Sequence, residues 1–536
     1  MKNKTLIVGI VTVAILIAGG FFFSNKFSNK GNVSSQTFST STQGLPEAQT
    51  SQTVELKNGD SYTLTASIVK KEIGNTEVKM LAYNGSIPGP LIKVVQGAAV
   101  TINFKNGTDM KTLLHSHGVR MDNPFDGSQT TQAEMEPGET FAYKLKFPDV
   151  GMYWYHPHVR EDYAQELGLY GNYWVVPSDL NYWSPVNREV PLFVDDILIE
   201  NGEIRLSKKS VDRTLTGRFG KVMLINGESD YILNAKAGEV IRFYLTNAAN
   251  TRTFNLAING VKMKLVGGDS GAYEKEEWKE SVILGPSERV IVEALFDRAG
   301  TYTIQHKTPN REYKMGKVVV SADVISSSYA KTFSILRTNK AAVADIDPFR
   351  AYFTKPIAKR ISLSIDMSRG EMGSMMMSQM AAGSTRGNMS TGDRPAGEAG
   401  GVSPDGIEWE DTNPMMNKTS NAAMTRWKIV DEATDQANMD IDWKFKVGDK
   451  VKIRITNDPN SMHPMQHPIH FHGQRFLVLD QSGVPPTNLV WKDTVLVPSG
   501  QYVDILLDAS NPGTWMAHCH IAEHLEAGMM MKFKVE

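Results

Sequence analysis

A short phrase that occurs three times constrains the fold of this chain more than any other sequence feature. Its versions are QGAAVTINFKN, AGEVIRFYLTN and VGDKVKIRITN. In each version a glycine precedes a run of alternating apolar and polar residues, and an asparagine follows that glycine by nine positions. An alternation of period two between turn residues predicts a β-strand. The three copies therefore predict three related domains.

A second phrase follows each copy of the first and predicts a strand, a turn and another strand. Its three versions end in GMYWYHPH, GTYTIQHK and GTWMAHCH. Short alternating strands at regular spacing, with few helical patterns, are typical of β-sandwiches. We therefore predict an all-β chain with sandwich domains at residues 54–178, 186–322 and 355–536.

The charge balance and the cysteine count narrow the function classes. The chain has 57 lysines and arginines against 59 aspartates and glutamates, so it lacks the basic excess of a nucleic-acid-binding protein. Its single cysteine, Cys519, cannot form a disulfide within the chain. We expect this thiol to be either a buried apolar residue or a metal ligand.

The first residues predict export from the cytoplasm. A short basic start, MKNK, precedes an apolar run, so residues 1–23 are either a signal peptide or an N-terminal membrane anchor. Residues 24–53 are rich in Ser, Thr, Gln and Asn, which predicts a flexible tether. We expect the folded part in the periplasm, at the cell surface or outside the cell, either anchored or released.

Eight of the 12 histidines occur as four His-x-His pairs. The pairs are His115 and His117, His156 and His158, His470 and His472, and His518 and His520. Side chains two residues apart on a strand point to the same side, so both members of a pair can bind one object. Two pairs lie in the first domain and two in the third, at corresponding positions of the repeat. We therefore predict that eight imidazoles meet where these two domains touch.

The cysteine lies between the two histidines of the last pair, so strand alternation turns it to the opposite side, toward the interior of the third domain. There it can approach His467, while His524 and Met529 come from the segment after the strand. A thiolate, two imidazoles and a weak thioether are the ligands of a blue-copper site. Zinc is the alternative metal, and an inert buried cysteine is the alternative without a metal.

From about residue 54 to the end, these motifs resemble the three-domain multicopper oxidases, the family of laccases and bacterial cuprous oxidases. The resemblance implies three cupredoxin-like Greek-key β-sandwiches and four copper ions, one of type 1, one of type 2 and two of type 3. For the type 1 copper it implies the ligands His467, Cys519, His524 and Met529. For the type 2 copper it implies the ligands His115 and His470. For the type 3 pair it implies the ligands His117, His156, His158, His472, His518 and His520.

The same resemblance implies an oxidase that takes single electrons from a substrate at the type 1 copper and reduces O2 to water at the other three. Electrons would pass from Cys519 to its covalent neighbours His518 and His520, so these three residues are expected to be catalytic. Asp126, in the sequence FDG, resembles the acidic residue of the family that relays protons near the type 2 copper. A turn-forming Asp-Gly pair is the alternative interpretation. Leu525 stands where bacterial relatives commonly have an acidic residue that forms a second proton relay, so the resemblance does not extend to that relay.

A methionine-rich segment indicates Cu(I) as the substrate. Eleven of the 26 lie between Met367 and Met439, most of them in residues 367–424, a segment inserted early in the third domain. Thioethers suit Cu(I), and the segment resembles the methionine-rich part of cuprous oxidases. We predict a substrate Cu(I) site with the candidate ligands Met367, Glu371, Met439 and Asp440. Methionines that pack as flexible core filler are the alternative.

The predicted function is oxidation of Cu(I) by O2, which would protect the cell from copper, with Fe(II) and phenols as further reductants. A laccase that acts mainly on phenols is one alternative. A copper-storage protein without catalytic activity is another. We expect a monomer.

Two histidines remain outside these sets. His306 follows its glycine by six positions instead of five, which places it on the other strand face from the paired histidines. It is expected to be a structural or surface residue of a middle domain without copper. His463 is expected to be a solvated loop residue, or to reach the rim of the type 1 site.

Overall fold

The computed structural model describes residues 37–367 and 403–536. The predicted signal or anchor, residues 24–36 of the predicted tether and most of the methionine-rich insertion, including Glu371, lie outside the described residues. The described chain is 49% strand and 8% helix, and its six sheets form three cupredoxin-like domains, which confirms the predicted fold class. Among these residues we find no helix with the length and hydropathy needed for a membrane span.

The first sandwich packs a four-stranded sheet of order β3-β2-β5-β7 against a five-stranded sheet of order β1-β4-β9-β8-β6. Its strands are β1 (Thr53–Leu56), β2 (Ser61–Ile73), β3 (Thr76–Tyr83), β4 (Leu91–Val95), β5 (Ala99–Gly107), β6 (Leu114–His117), β7 (Thr140–Lys146), β8 (Gly151–Pro157) and β9 (Gly171–Val176).

The middle sandwich has sheets of order β11-β10-β13-β18-β15-β16 and β12-β20-β19-β14-β17. Its strands are β10 (Arg188–Ile197), β11 (Val222–Ile225), β12 (Tyr231–Ala237), β13 (Glu239–Asn247), β14 (Phe254–Ile258), β15 (Met263–Gly268), β16 (Gly271–Lys279), β17 (Val282–Leu284), β18 (Arg289–Phe296), β19 (Gly300–Lys307) and β20 (Glu312–Val324).

The third sandwich has sheets of order β22-β21-β24-β28-β26 and β23-β30-β29-β25-β27. Its strands are β21 (Lys359–Met367), β22 (Thr425–Asp431), β23 (Trp443–Phe445), β24 (Asp449–Asn457), β25 (His467–Phe471), β26 (Arg475–Gln481), β27 (Thr494–Val497), β28 (Tyr502–Ala509), β29 (Gly513–Cys519) and β30 (Met530–Val535).

The helices are short and lie in the connections. They are α1 (Glu161–Ala164), α2 (Ala330–Phe333), α3 (Lys340–Ile346), α4 (Pro414–Thr419) and α5 (Ala522–Glu526). Single 3-10 turns cover Asn123–Phe125, Asp347–Tyr352 and Asn438–Asp440. Two of the short helices, α1 and α5, follow histidine-bearing strands and contact each other across the boundary between the first and third sandwiches.

The repeated phrase forms the same element in each domain. Strands β5, β13 and β24 each pair in parallel with an earlier strand and antiparallel with the next phrase, formed by β7, β18 and β28. Along β5 and β24 the side chains alternate between buried and more exposed positions, as expected for a sheet with one face on the core. Strand β13 is buried at every residue, because the sheet that contains it is covered on both faces.

Candidate metal centres

Eight buried histidines meet where the first sandwich faces the third. They come from β6, β8, β25 and β29 and from the residues directly after these strands: His115, His117, His156, His158, His470, His472, His518 and His520. In the strand registers His115 lies opposite His156, and His470 lies opposite His518. Rings from the two domains stack, with centroids 4.1 Å apart for His115 and His472 and 3.7 Å apart for His117 and His470.

Six of these rings are oriented by a hydrogen bond at Nδ1. Each donates to a carbonyl, carboxylate or amide oxygen between 2.7 and 3.1 Å away, and the six are His115, His156, His158, His470, His472 and His518. Because these oxygens can only accept, Nδ1 carries the proton and Nε2 keeps its lone pair. The Nε2 atoms of His158 and His518 lie 3.3 and 2.9 Å from that of His472, so three lone pairs converge. Because lone pairs that face one another repel, this arrangement requires a cation between them.

The remaining two rings complete the set of donors. His117 has the reverse orientation, because its Nε2 lies 3.0 Å from Oδ1 of Asp493 and 3.1 Å from Oγ1 of Thr494. Its Nδ1 is buried without a hydrogen-bond partner among the described residues. His520 has both ring nitrogens buried and unpaired within the same part of the chain. Buried nitrogens without partners are costly unless a metal ion binds them.

Burial and mutual repulsion keep the eight imidazoles uncharged. Loss of hydration, with a further contribution from neighbouring histidines, lowers the pKa of His115 and His518 to about 3. Burial alone lowers the pKa of His472 to about 3. At neutral pH the rings therefore present lone pairs instead of protons, which is the state that binds metal ions.

A second group of candidate metal ligands lies on the other face of β29, inside the third sandwich. Cys519 Sγ is 3.6 Å from Nδ1 of His467 and 3.9 Å from Nδ1 of His524, and the two Nδ1 atoms are 3.3 Å apart. All three residues are buried, and Trp427 stacks on His524 with ring centroids 4.0 Å apart. Met529 is also buried, and its carbonyl oxygen accepts a hydrogen bond of 3.1 Å from the Cys519 nitrogen.

The donor chemistry of both groups fits copper. Burial raises the pKa of the Cys519 thiol, so a bound cation is needed to hold it as a thiolate. One thiolate with two imidazoles is the ligand set of a blue-copper site, and a cluster of imidazoles alone suits copper as well. Several sets of three donor atoms lie within 4.8 Å of one another, including His467, Cys519 and His524 in one group and His158, His472 and His518 in the other.

Asp126 belongs to the interface group and to a tight turn at the same time. One carboxylate oxygen accepts a hydrogen bond of 2.9 Å from Nδ1 of His472, and its carbonyl accepts one of 2.7 Å from Nδ1 of His115. Gly127 follows with φ of +76°, and a side chain there would collide with the Leu114 carbonyl. The turn brings Asp126 to histidines of both domains. Its interpretation as a turn residue is therefore compatible with its interpretation as an acidic residue that relays protons.

The structure adds buried acidic residues that the sequence analysis missed. Glu161 lies on α1 with a carboxylate oxygen 3.6 Å from Nδ1 of His158. Asp493 directly precedes β27 and contacts His117. Glu408 lies 3.6 Å from Nε2 of His463. The contacts of Asp493 and Glu408 join distant parts of the chain, so no local spacing indicated them, whereas Glu161 follows His158 by three residues and a His-x-x-Glu spacing was its one local signal.

The candidate substrate residues are only partly brought together. Met439 and Asp440 line a cavity of about 350 Å³, together with Met530 and Glu526. Met367 ends β21 and does not line this cavity. The predicted role of Glu371 lies outside the described residues.

The two unassigned histidines are both more buried than a solvated residue would be. His306 is fully buried in the middle sandwich, where Nδ1 accepts a hydrogen bond of 3.0 Å from the Asn255 nitrogen. His463 has a side chain only 15% exposed, and burial, with a smaller contribution from the nearby His463, lowers the pKa of His467 to about 3. His463 therefore lies at the rim of the group around Cys519.

Comparison with known proteins identifies the family of this chain. Three family models described as multicopper oxidase match residues 65–179, 171–327 and 408–536. The multicopper oxidase Mco of Staphylococcus aureus is 26% identical over 485 residues, which cover 89% of this chain and 88% of the relative. The multicopper oxidase MmcO of Mycobacterium tuberculosis is 25% identical over 500 residues, which cover 87% and 85%. The crystal structure of the multicopper oxidase McoA of Aquifex aeolicus has a TM-score of 0.67 at 21% identity and covers 92% of this chain and 99% of its own.

The matched residues make up more than half of the chain and include both groups of donors. The chain belongs to the multicopper oxidase family. It is therefore an oxidase with O2 as co-substrate, and its histidine clusters, one of which contains Cys519, are consistent with type 1, type 2 and type 3 copper sites.

Proposed function

We propose that this chain oxidises Cu(I) at a type 1 copper and reduces O2 to water at a cluster of three further copper ions. The observation that carries the proposal is the position of Cys519 on β29. Its thiol faces His467 and His524 inside the third sandwich, while its neighbours in sequence face the first sandwich. One strand therefore reaches both groups of donors.

We assign the ligands from the two groups. The type 1 copper would be held by His467, Cys519, His524 and Met529. The type 2 copper would be held by His115 and His470, whose ring centroids are 5.9 Å apart. One type 3 copper would be held by the converging Nε2 atoms of His158, His472 and His518. The other would be held by His117, His156 and His520, whose ring centroids are 5.0 to 5.7 Å apart.

The bound copper ions would supply one-electron redox chemistry, and the protein would supply the path between them. Cys519 is covalently joined to His518 and His520, so the backbone would directly connect the type 1 ligand to two ligands of the cluster. Both histidines are fully buried, which keeps water out of this path. Four copper ions held by these residues would match the four electrons that the reduction of O2 to water requires.

Asp126 is the proposed proton donor on the first-domain side of the cluster. Burial raises the pKa of its carboxyl, and the same carboxyl touches the His472 ring. A carboxyl with a raised pKa can hold a proton next to the cluster and release it during turnover. The nearby Glu161 offers a second buried carboxyl, beside His158.

The proposed substrate site is the cavity lined by Met439, Asp440, Met530 and Glu526. Two thioethers and two carboxyl groups, against the single cation Arg426, favour a soft cation over a phenol, and no aromatic residue of the described chain lines the cavity. Gly528 also lines it, one residue before the proposed axial ligand Met529. An ion bound there would lie next to the loop that carries the type 1 copper.

The test is to load the purified protein with copper, count the bound ions and follow O2 uptake with Cu(I), Fe(II) and a phenol. We expect four ions per chain and the highest kcat/KM for Cu(I). The double variant Met439→Leu, Asp440→Asn should raise KM for Cu(I) and leave phenol oxidation unchanged. Met110→Leu, in the first domain, is the control. Preferred turnover of the phenol, with no effect of the double variant on Cu(I), would favour a laccase instead.

Export and the oligomeric state are proposed on sequence grounds. The apolar run within residues 1–23 supports export, either with an uncleaved anchor or after cleavage. Copper detoxification in the cell envelope fits such a location. Cell fractionation with N-terminal sequencing of the mature protein tests export, and sedimentation of the copper-loaded protein tests the expected monomer.

A further inference from the structure

A buried ion pair lies where all three sandwiches meet. Arg289, the first residue of β18 in the middle sandwich, donates from Nη1 to Oδ1 of Asp493 at 2.7 Å and from Nη2 to Oδ2 of the same residue. Both side chains are fully buried. Arg289 also donates from Nε to the Met152 carbonyl of the first sandwich at 2.9 Å and from Nη1 to the Ser287 carbonyl at 3.0 Å. Its guanidinium is therefore fixed by groups from the first, middle and third sandwiches.

Asp493 in turn contacts two of the proposed copper ligands. Its Oδ1 accepts from Nε2 of His117 at 3.0 Å, and its carbonyl accepts from Nδ1 of His470 at 2.8 Å. Thr494 Oγ1 lies 3.1 Å from the same Nε2 of His117. Gly118, next to His117, has φ of +79°, and a side chain there would collide with Asp493 and Arg289. The backbone is thus shaped to let the carboxylate approach.

This contact explains why His117 is oriented differently from the other rings. Six rings of the interface group donate from Nδ1 and leave Nε2 free, whereas His117 donates from Nε2 and leaves Nδ1 free. A carboxylate can only accept, so Asp493 fixes the proton on Nε2. The lone pair of Nδ1 is then available for a metal ion.

We propose that Arg289 and Asp493 form a positioning pair through which the middle domain controls the cluster. The middle domain supplies none of the proposed ligands, yet its arginine holds the carboxylate that sets the ring orientation and proton position of His117. The inference rests on the ligand assignment proposed above. It assigns to the middle domain a part in the chemistry beyond packing.

Asp493→Asn tests the proton position directly. The Asn oxygen would keep the Arg289 contact of Oδ2, while the amide nitrogen, in the place of Oδ1, would lose the contact with Nη1 and donate to Nε2 of His117. The ring proton would move to Nδ1 and block the proposed ligand atom. We expect bound copper to fall from four ions per chain to three or fewer, with the visible absorbance of the type 1 site unchanged. We expect kcat to fall about 10- to 100-fold at unchanged KM for the reductant.

The matched control is Glu293→Gln. Glu293 pairs with Arg242 at 2.7 Å in the same sandwich, both side chains are buried, and neither contacts a histidine of the interface group. This variant should keep four copper ions and full activity per folded molecule. If it loses copper to the same extent as Asp493→Asn, loss of a buried ion pair explains both results and the proposal is wrong.

Two further measurements keep the test decisive. In the copper-free protein with ring-¹⁵N histidine, the His117 signal should show a protonated Nε2 in the wild type and a protonated Nδ1 in Asp493→Asn. If Asp493→Asn does not fold, Arg289→Lys replaces it, because a lysine keeps the charge but cannot hold both carboxylate oxygens. That variant should lose type 3 copper while it keeps the type 1 absorbance.

The outcomes separate this inference from the proposed function. A wild type that does not bind four copper ions contradicts the proposed function. A wild type with four ions, together with an Asp493→Asn protein that also keeps four ions and the wild-type ring protonation, contradicts only the positioning pair.

Discussion

In the third sandwich β25 pairs with β29, and in the middle sandwich β14 pairs with β19 in the same way. On the face that meets the first domain in the third sandwich, His470 lies opposite His518. The corresponding pair in the middle sandwich is Ala257 and Gln305. The backbone pairing is the same, and only the side chains differ.

The interior faces of these strands differ in the same manner. Cys519 lies opposite Ile469 in the third sandwich, and His306 lies opposite Leu256 in the middle one. His306 therefore occupies the position of the cysteine. Phe254 stands where the third sandwich has His467, two residues before the apolar partner, and its ring centroid is 5.0 Å from that of His306.

The difference shows how a copper site and a packed core arise from one scaffold. In the third sandwich a thiol and two imidazole nitrogens face one another at 3.3 to 3.9 Å. In the middle sandwich the single imidazole is already engaged, because its Nδ1 accepts from the Asn255 nitrogen. His306 has no second metal ligand beside it among the described residues, and it packs as part of the core.

The largest expected effect comes from the two equivalent positions themselves. Cys519→Ser should abolish O2 consumption and the visible absorbance of the type 1 site, because a hydroxyl is a poor ligand for copper. His306→Gln should leave O2 consumption per folded molecule unchanged. Absorbance spectra and oxygen-electrode rates check both variants.

The serine variant also separates an oxidase from a store. A storage protein would bind most of its Cu(I) through methionines and would lose little of it in Cys519→Ser. Undiminished O2 consumption by this variant would contradict the proposed electron path.

Asp126→Asn is expected to have the next largest effect. It should lower kcat about 10- to 100-fold, because an amide cannot hold the proton and hydrogen-bonds His472 less well. The type 1 absorbance should not change. Asp230→Asn, an exposed carboxylate of the middle sandwich that pairs with Lys314 at 2.8 Å, is the control and should behave like the wild type. Equal rates for both variants would remove Asp126 from the mechanism.

Truncation of the apolar residues opposite Cys519 and His306 should separate effects on the free energy of unfolding from effects on copper binding. Ile469→Ala and Leu256→Ala each remove a buried side chain opposite Cys519 or His306, at a cost of about 2–5 kcal/mol in the free energy of unfolding. Only Ile469→Ala should also shift or weaken the type 1 absorbance, because the Ile469 side chain lies opposite Cys519. Denaturant titration and absorbance spectra provide the two readouts. A shifted spectrum in Leu256→Ala would mean that the two cores are coupled.

The smallest effect concerns the pH dependence of the middle sandwich. Burial, and then the nearby Arg252, lowers the pKa of His306 to about 3, whereas an unfolded histidine titrates near 6.5. Between these values the unfolded chain binds one proton more at this residue. The stability contributed by neutral His306 is therefore complete above pH 6.5 and is lost as the pH falls toward 3.

His306→Gln tests this dependence in the copper-free protein. The variant should remove a slope of up to about 1.4 kcal/mol per pH unit in that window. Urea titrations of wild type and variant between pH 4 and 7 give the comparison. Parallel curves would show that His306 is protonated in the folded protein.

Much of the fold follows from local pattern. The alternation along β5 and β24 identified strands, and the repeated phrase identified three related units, because a strand pattern needs only neighbouring residues to be visible. The same period of two placed the histidine pairs on one face and Cys519 on the other. The predicted domain limits and the predicted anchor stay predictions.

The candidate site was accessible from sequence only where its residues lie within motifs. Asp493 and His117 are separated by 376 residues, and Arg289 lies 204 residues from Asp493. Such contacts depend on how three domains pack together, and no spacing within a strand contains that information. The cavity proposed for the substrate is similar, since it forms only where the start of β30, with Met530, packs against the 3-10 turn that contains Met439.

The sequence by itself determined which residues carry donor atoms and which face of a strand each one occupies, because side-chain alternation is a local property of the backbone. The tertiary structure decided which rings meet, which nitrogen of each ring keeps its lone pair, and which carboxylate fixes it. These features depend on hydrogen bonds and burial between distant segments, and such interactions exist only once the three sandwiches have packed.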